Sequence, residues 1–280
     1  MENIKKLENS KLNKLKIHPS ASVHPNAQLH EGVTIGQGAI IGPEVIIGSG
    51  TTVGPNSVVE GKTILGHNNK IFPNVFLGLK PQDLKYKGAN TELIIGDDNT
   101  FRECVTINKA TNQGEKTIIG NNNLLMAYSH IGHNCEIGNN VILSNSVQVA
   151  GHVIIEDCAI VGGCLGIHQF VHIGYLSMIG GMTRVTRDIP PFCLAEGSPA
   201  RLRGLNKVGI KRSGLIERNN LNLKSLLKTW LLLFKSEYVI SEAVEVAMSQ
   251  ELDFSSKRLC EFVKDSISSN RRGPMPVGNL

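Results

Sequence analysis

Five histidines lie close together in the chain: His130, His133, His152, His168 and His172. Neutral imidazole has a pKa near 6.5 and can take the proton of a hydroxyl as that hydroxyl attacks an acyl carbon. A well-placed base of this kind contributes about 10²–10⁴ in rate. Gly151 lies one residue before His152. A glycine beside the base offers a bare backbone N–H and room for an oxyanion. The second chemistry open to the cluster is zinc binding by three histidines, with His168 and His172 joined by His130 or His133. His168 follows an apolar residue and His172 precedes one. The two rings therefore stand at different edges of one element and converge poorly.

Whether these side chains meet depends on the elements that carry them. An aliphatic residue recurs every six positions from Ile17 to Leu77 and again from Ile119 to Val185, with Ile95, Phe101 and Ile107 on the same count between them. Helices repeat near 3.6 and flat strands at 2, so six fits neither alone. It fits a parallel β-helix of hexapeptide turns, in which three short sides close a triangular coil of 18 residues. Gly often follows the aliphatic residue, as at Gly36, Gly42, Gly48 and Gly138, and is read as relieving a tight corner. Coils stack about 4.8 Å apart, so residues 18 apart become neighbours. His133 then lies beneath Gly151, and Gly151 beneath Gln169, with His152 and His168 alongside. Three histidines, a glutamine and a glycine are expected on one side of the prism, at its surface.

The solenoid is expected over residues 17–191, after a polar tail at 1–16 with no secretory apolar core. Polar stretches near 78–94 and 108–118 read as inserted loops, where solenoids carry function. Pro190-Pro191 cannot donate to a ladder and is expected to stop the coil. Residues 192–280 lose the register and read as a small helical domain capping the open end. Its candidate helices lie at about 222–236, 241–249 and 255–268, with Ser241 and Asp253 or Ser255 as N-caps. The Gly- and Pro-rich tail from Asn270 reads as loose.

The net charge of +5 is unevenly placed: nine Lys and Arg between 201 and 235 face only Glu217. Such a field attracts an anionic partner. With no nucleic-acid reader motif or stacking platform, an acidic protein or phosphorylated ligand is expected rather than nucleic acid. The six cysteines show no paired spacing, which suits reduced thiols in a cytoplasmic protein. The apolar run Trp230–Phe234 is too short for a membrane span.

Seven segments occur in order: Gln82-Asp83-Leu84-Lys85-Tyr86, Arg102-Glu103-x-Val105-Thr106-Ile107, Asn123-Leu124-Leu125-Met126, His130-Ile131-x-His133, Ala150-Gly151-His152, His168-Gln169-Phe170 and Gly209-Ile210-Lys211-Arg212. Together they resemble the acyl-[acyl-carrier-protein]–UDP-N-acetylglucosamine O-acyltransferases of lipid A biosynthesis, a hexapeptide-repeat family. The resemblance implies an all-β left-handed parallel β-helix followed by a small α-helical C-terminal domain. It also implies a homotrimer with sites in the clefts between neighbours, and no cofactor. The implied reaction moves a 3-hydroxyacyl chain from acyl carrier protein to the glucosamine 3-hydroxyl of UDP-N-acetylglucosamine.

By the same resemblance His133 is the general base and the Gly151 amide the oxyanion donor. Gln82, Asp83, Lys85, Asn108, His130, His152, His168 and Gln169 form the substrate-binding set. Arg212 meets the nucleotide phosphate with Asn206 nearby, and Gly181 sets the acyl length, a glycine leaving room for a longer chain. Asn134 departs from the family, which commonly has Asp after the base; an amide cannot stabilise imidazolium as a carboxylate does. Asn108, Pro199 and Ser213 depart too. Two alternatives remain: the same transfer to a 3-amino sugar nucleotide, giving an amide, and a zinc-binding or non-catalytic solenoid.

Overall fold

Strands of two to five residues recur along the chain, each too short to be stable alone, and stacking is what stabilises them. The computed structural model describes residues 14–217, 221–268 and 271–278; the first thirteen residues of the expected N-terminal tail, and Arg218 of the basic stretch, lie outside these. The strands form three sheets of 11, 9 and 8 members, parallel except for the last strand of the first, wound as a left-handed β-helix. The first sheet begins at Lys16–Ile17, the second at Ser22–Val23 and the third at Gln28–Leu29. Each coil visits them in that order.

The six-residue register is the core. Leu125 pairs with Leu143, Leu143 with Val161 and Val161 with Ile179, each essentially buried. Each such side chain contributes about 1.5–3 kcal/mol by leaving water. Ile17 is 44% exposed because its coil is the first described and has a neighbour on one side only.

The glycines after the aliphatic positions serve a different purpose from the one expected. Gly36 and Gly48 have ordinary dihedrals, but a Cβ there would lie 2.8 Å from Pro55 N and 2.5 Å from Gly66 C in the next coil. They permit close approach of backbones. The left-handed corner residue stands two positions later and is usually not glycine: Asn56, Asn68, Asn122, Asn134, His152 and Phe170 all have φ between 54° and 68°.

Both polar stretches are loops, and both leave the prism between the second and third sheets. The first follows strand Phe76–Leu79 and the second follows Thr106–Asn108; the chain rejoins at Glu92–Ile95 and Lys116–Ile119. They lengthen their coils from 18 residues to 30 and 24, as the spacings of stacked asparagines show. Both additions are multiples of six, so the register survives them.

Pro190-Pro191 does not stop the first sheet. Cys193–Glu196 adds in parallel to Met178–Ile179, and Arg201–Leu205 folds back antiparallel on it. Among the described residues four helices follow: α1 (Lys207–Arg212), which the sequence did not suggest, α2 (Leu223–Lys235), α3 (Ile240–Met248) and α4 (Phe254–Ser268). Asn222 caps α2, and Asp253 accepts from the Ser255 and Ser256 N–H groups at the start of α4. The cap residue of α3 is Val239, without a side-chain bond, and Ser241 lies inside the helix. The three longer helices bury one apolar stripe each, such as Leu226, Trp230 and Leu233 on α2. The C-terminal tail is docked rather than loose: Pro274 bridges to Asp188, Val277 to Leu202, and Met275 is 1% exposed. Among the described residues no helix is long and apolar enough to cross a membrane.

Candidate active site

His133 lies at the corner between the second and third sheets, just past strand His130–Ile131. The cluster therefore occupies an edge of the prism and not a side. His152 and Phe170 sit one and two coils further along the same edge, with the N–H of His152 donating to the carbonyl of His133 and that of Phe170 to Gly151. The His133 and His152 rings meet edge-on with centroids 5.1 Å apart, and His152 stacks on Phe170 at 4.9 Å.

Both loops leave at this same edge, and each delivers an acid. Asp83 from the first loop places Oδ2 3.8 Å from His133 Nε2. That is too long for a direct hydrogen bond and leaves the nitrogen's lone pair available. Asp83 Oδ1 accepts from the Lys85 N–H, which shapes the loop. Glu115 from the second loop accepts from Asn134 Nδ2 at 2.6 Å, and Asn134 Oδ1 lies 2.9 Å from His133 Nδ1.

Any side chain at Gly151 would displace the His133 ring. A Cβ there would lie 2.5 Å from His133 Nε2. Its N–H donates to no protein acceptor among the described residues. The repeat explains why. Proline fills the equivalent turn position at Pro25, Pro43, Pro55 and Pro73, so this position needs no donor for the fold. At Gly151 the spare N–H lies beside the imidazole.

Burial, and secondly the nearness of His133, holds His130 below the ordinary histidine range. The same two causes, in the same order, lower His152. Both are neutral at pH 7. Thr106 Oγ1 fixes His130 through Nδ1 at 2.7 Å. Asn112 hydrogen bonds hold Glu115 below the usual carboxylate range.

His168 and Gln169 flank the edge; His168 Nε2 meets Arg272 at 3.2 Å. His172 belongs to the third sheet and pairs instead with Glu156 at 2.8 Å and Arg271 at 2.8 Å. The candidate zinc set is thus divided between two structures, and no group of three His, Cys, Asp or Glu among the described residues is arranged to hold a metal ion. Gln82 and Lys85 are exposed on the first loop. Asn108 is buried and donates to the Lys80 carbonyl, pinning that loop's base.

Three expected site residues lie elsewhere in the chain. Gly181 is at the edge between the first and second sheets, after Met178–Ile179. Arg212 ends α1, exposed. Asn206 caps the same helix, its Oδ1 accepting from the Gly209 N–H and its Nδ2 donating to the Leu176 carbonyl. Sequence reasoning missed Glu115, Thr111, whose N–H donates to Asn134 Oδ1, and Arg272. The first two stood in a stretch read only as loop, and the third in a tail read as loose.

Family models match in two places. Residues 188–275 match the second domain of UDP-N-acetylglucosamine O-acyltransferases, and residues 14–48 and 116–151 match bacterial transferase hexapeptide repeats. The chain is 48% identical over 218 residues to an acyl-[acyl-carrier-protein]–UDP-N-acetylglucosamine O-acyltransferase of Synechocystis sp., covering 78% of each. It is 40% identical over 220 residues to one of Campylobacter concisus, covering 78% of this chain and 81% of the other. Among solved structures, the UDP-N-acetylglucosamine acyltransferase from Campylobacter jejuni superposes with a TM-score of 0.84 at 34% identity, covering 94% of this chain and 100% of that one. The Francisella novicida enzyme gives 0.86 at 32% identity, covering 94% and 95%.

Proposed function

Because the chain belongs to the acyl-[acyl-carrier-protein]–UDP-N-acetylglucosamine O-acyltransferase family, we propose that it makes the ester of that reaction with His133 as general base. It moves a 3-hydroxyacyl group from acyl carrier protein to the glucosamine 3-hydroxyl of UDP-N-acetylglucosamine, as the cytoplasmic entry step to lipid A. The observation that carries this reading is the free Nε2 of His133, set between Asp83 and the spare N–H of Gly151.

His133 Nε2 takes the proton of the 3-hydroxyl as its oxygen attacks the thioester carbonyl. The Gly151 N–H receives the developing oxyanion, where a positioned donor is worth about 10²–10³ in rate. As the C–S bond breaks, the imidazolium returns its proton to the departing thiol. Asp83 and Lys85 orient the sugar, with Gln82 at the loop's start. Asn108 holds that loop in place. His130, His152, His168 and Gln169 line the route of the acyl donor.

Arg212, Asn206 and Gly181 serve the same site from a neighbouring copy. A homotrimer supports this arrangement, because Gly181 and Arg212 stand away from the edge that carries His133 in a single protomer. The basic stretch around α1 and α2 then meets the acidic carrier protein.

The test is to incubate the protein with UDP-N-acetylglucosamine and a panel of 3-hydroxyacyl carrier proteins and follow the sugar nucleotide by mass spectrometry. A gain of one hydroxyacyl group is the expected result. Gain only with a 3-amino sugar nucleotide would reassign the product to an amide; no gain with either acceptor would reject the enzyme reading. Sedimentation equilibrium tests the trimer, and a monomer that is fully active would refute the shared site.

A further inference from the structure

His133 is followed by Asn134, whose amide cannot itself balance an imidazolium charge. The hydrogen bonds around it show what replaces that charge. Asn134 Oδ1 accepts from the Thr111 N–H at 3.1 Å, and Asn134 Nδ2 donates to Glu115 Oε2 at 2.6 Å. A backbone N–H can only donate and a carboxylate only accept. The amide therefore has one allowed orientation. Its oxygen faces His133 Nδ1 at 2.9 Å, so Nδ1 carries a proton and, in the neutral ring, Nε2 is the bare nitrogen. The Asn134 backbone N–H, donating to Thr117 Oγ1, fixes the residue further.

Glu115 is itself held. Its two oxygens accept from the Asn112 N–H at 3.0 Å and Asn112 Nδ2 at 3.1 Å. These bonds hold its carboxyl below the usual carboxylate range, so it carries its charge at neutral pH. The other titratable groups facing this position are Asp83 from the first loop, His130 from the second sheet and His152 from the next coil.

We propose that Glu115, acting through the Asn134 amide, is the positioning residue of His133: it sets the tautomer and supplies at one remove the carboxylate that stabilises the imidazolium during proton transfer. This rests on His133 being the base. The polarised amide passes on the negative charge because Nδ2 is bound to a carboxylate while Oδ1 accepts from Nδ1–H. The second loop thus contributes the acid that the residue after the base does not.

The test is steady-state kinetics of four variants with the sugar nucleotide and the acyl carrier protein, with thermal melts to confirm folding. Glu115→Gln keeps the volume and removes the charge. Its kcat is expected to fall roughly tenfold, part of the total that a positioned base supplies, with KM for the sugar nucleotide unchanged. Glu115→Gln with Asn134→Asp places a carboxylate directly on Nδ1–H and should recover most of that loss. Asn134→Asp alone sets two carboxylates at hydrogen-bond distance and should be slower than the parent. A loss in Glu115→Gln that the second substitution does not repair would make Glu115 a loop brace only and overturn the proposal. So would parental kcat in Glu115→Gln. His133→Ala separates the two ideas. If it stays active, the base assignment fails and the proposal with it. If it is inactive while Glu115→Gln is fully active, only the positioning role fails.

Discussion

Two edges of the same prism use the same backbone turn for opposite purposes. At the edge between the third and first sheets, asparagines form a closed ladder. Asn99 N–H and Nδ2 donate to Asn69 Oδ1, Asn99 Nδ2 also to the Gly120 carbonyl, and Asn99 Oδ1 accepts from the Asn123 N–H. All three side chains are buried. A parallel outer ladder runs through Asp97, Asn121, Asn139 and Asp157. At the edge between the second and third sheets the column instead runs through Asn134, His152 and Phe170, next to a base with a free nitrogen and a glycine with a free N–H. The first edge ties each asparagine of these ladders to the next coil. The second leaves His133 Nε2 and the Gly151 N–H unmatched beside a space that a substrate can enter. Closed networks of this kind stabilise the fold, while open ones are available for chemistry.

The comparison breaks most sharply if the two edges are damaged in turn. His133→Ala should cut kcat by about 10²–10⁴ and leave the melting temperature near that of the parent; substantial residual turnover would refute the base. Asn99→Ala should do the reverse. It strands the Gly120 carbonyl and the Asn123 N–H and should cost about 2–4 kcal/mol of stability, read by denaturant unfolding, with parental kcat in the folded fraction. Gly151→Ala drives a methyl into the His133 ring, and a displacement of about 1 Å is enough for roughly a 10²-fold loss. Retained activity would show that the ring can move without cost.

Acid should affect the open edge first. His130 and His152 titrate lower in the folded chain than in the unfolded one. The unfolded chain therefore binds more protons once pH falls below about 6.5, and their contribution is lost as pH falls through the lowered folded values. Melting temperature should decline between pH 7.5 and 5.5, and His130→Asn should flatten that slope. The carboxylates Glu92 and Glu115 are also lowered, but their effect begins only below the usual range near 4.3. The smallest expected change is Gly181→Met, where a Cβ meets only Gly163 O at 3.3 Å and N at 3.8 Å. The Gly163 carbonyl must give by a few tenths of an ångström, and the preferred acyl chain should shorten, each lost methylene weakening binding by about 0.8 kcal/mol. An unchanged donor profile would remove Gly181 from the groove.

Most of the fold was legible because one simple rule repeats. The column His133, Gly151 and Gln169 followed from the stacking of residues 18 apart, and the three longer helices lie close to their expected ranges, with Asp253 as a cap but not Ser241. The register could not say which corner the column occupied. It also suggested the wrong reason for the glycines, because a collision with the next coil leaves no mark in the local sequence. Asn134 looked like a loss. Its meaning depended on Glu115, a residue in a loop with no periodicity to place it.

The sequence alone determined the period, the inward aliphatics, the stacking of the histidines and the family motifs, since all of these are local or repeat at fixed spacing. The tertiary structure alone decided that both loops leave at the edge where His133 stands, bringing Asp83 towards Nε2 of its ring and Glu115, through Asn134, towards Nδ1. It also decided that the tail returns to place Arg271 and Arg272 against His172 and His168. A loop carries no register, and a contact across 104 residues is set by where the chain ends up in space.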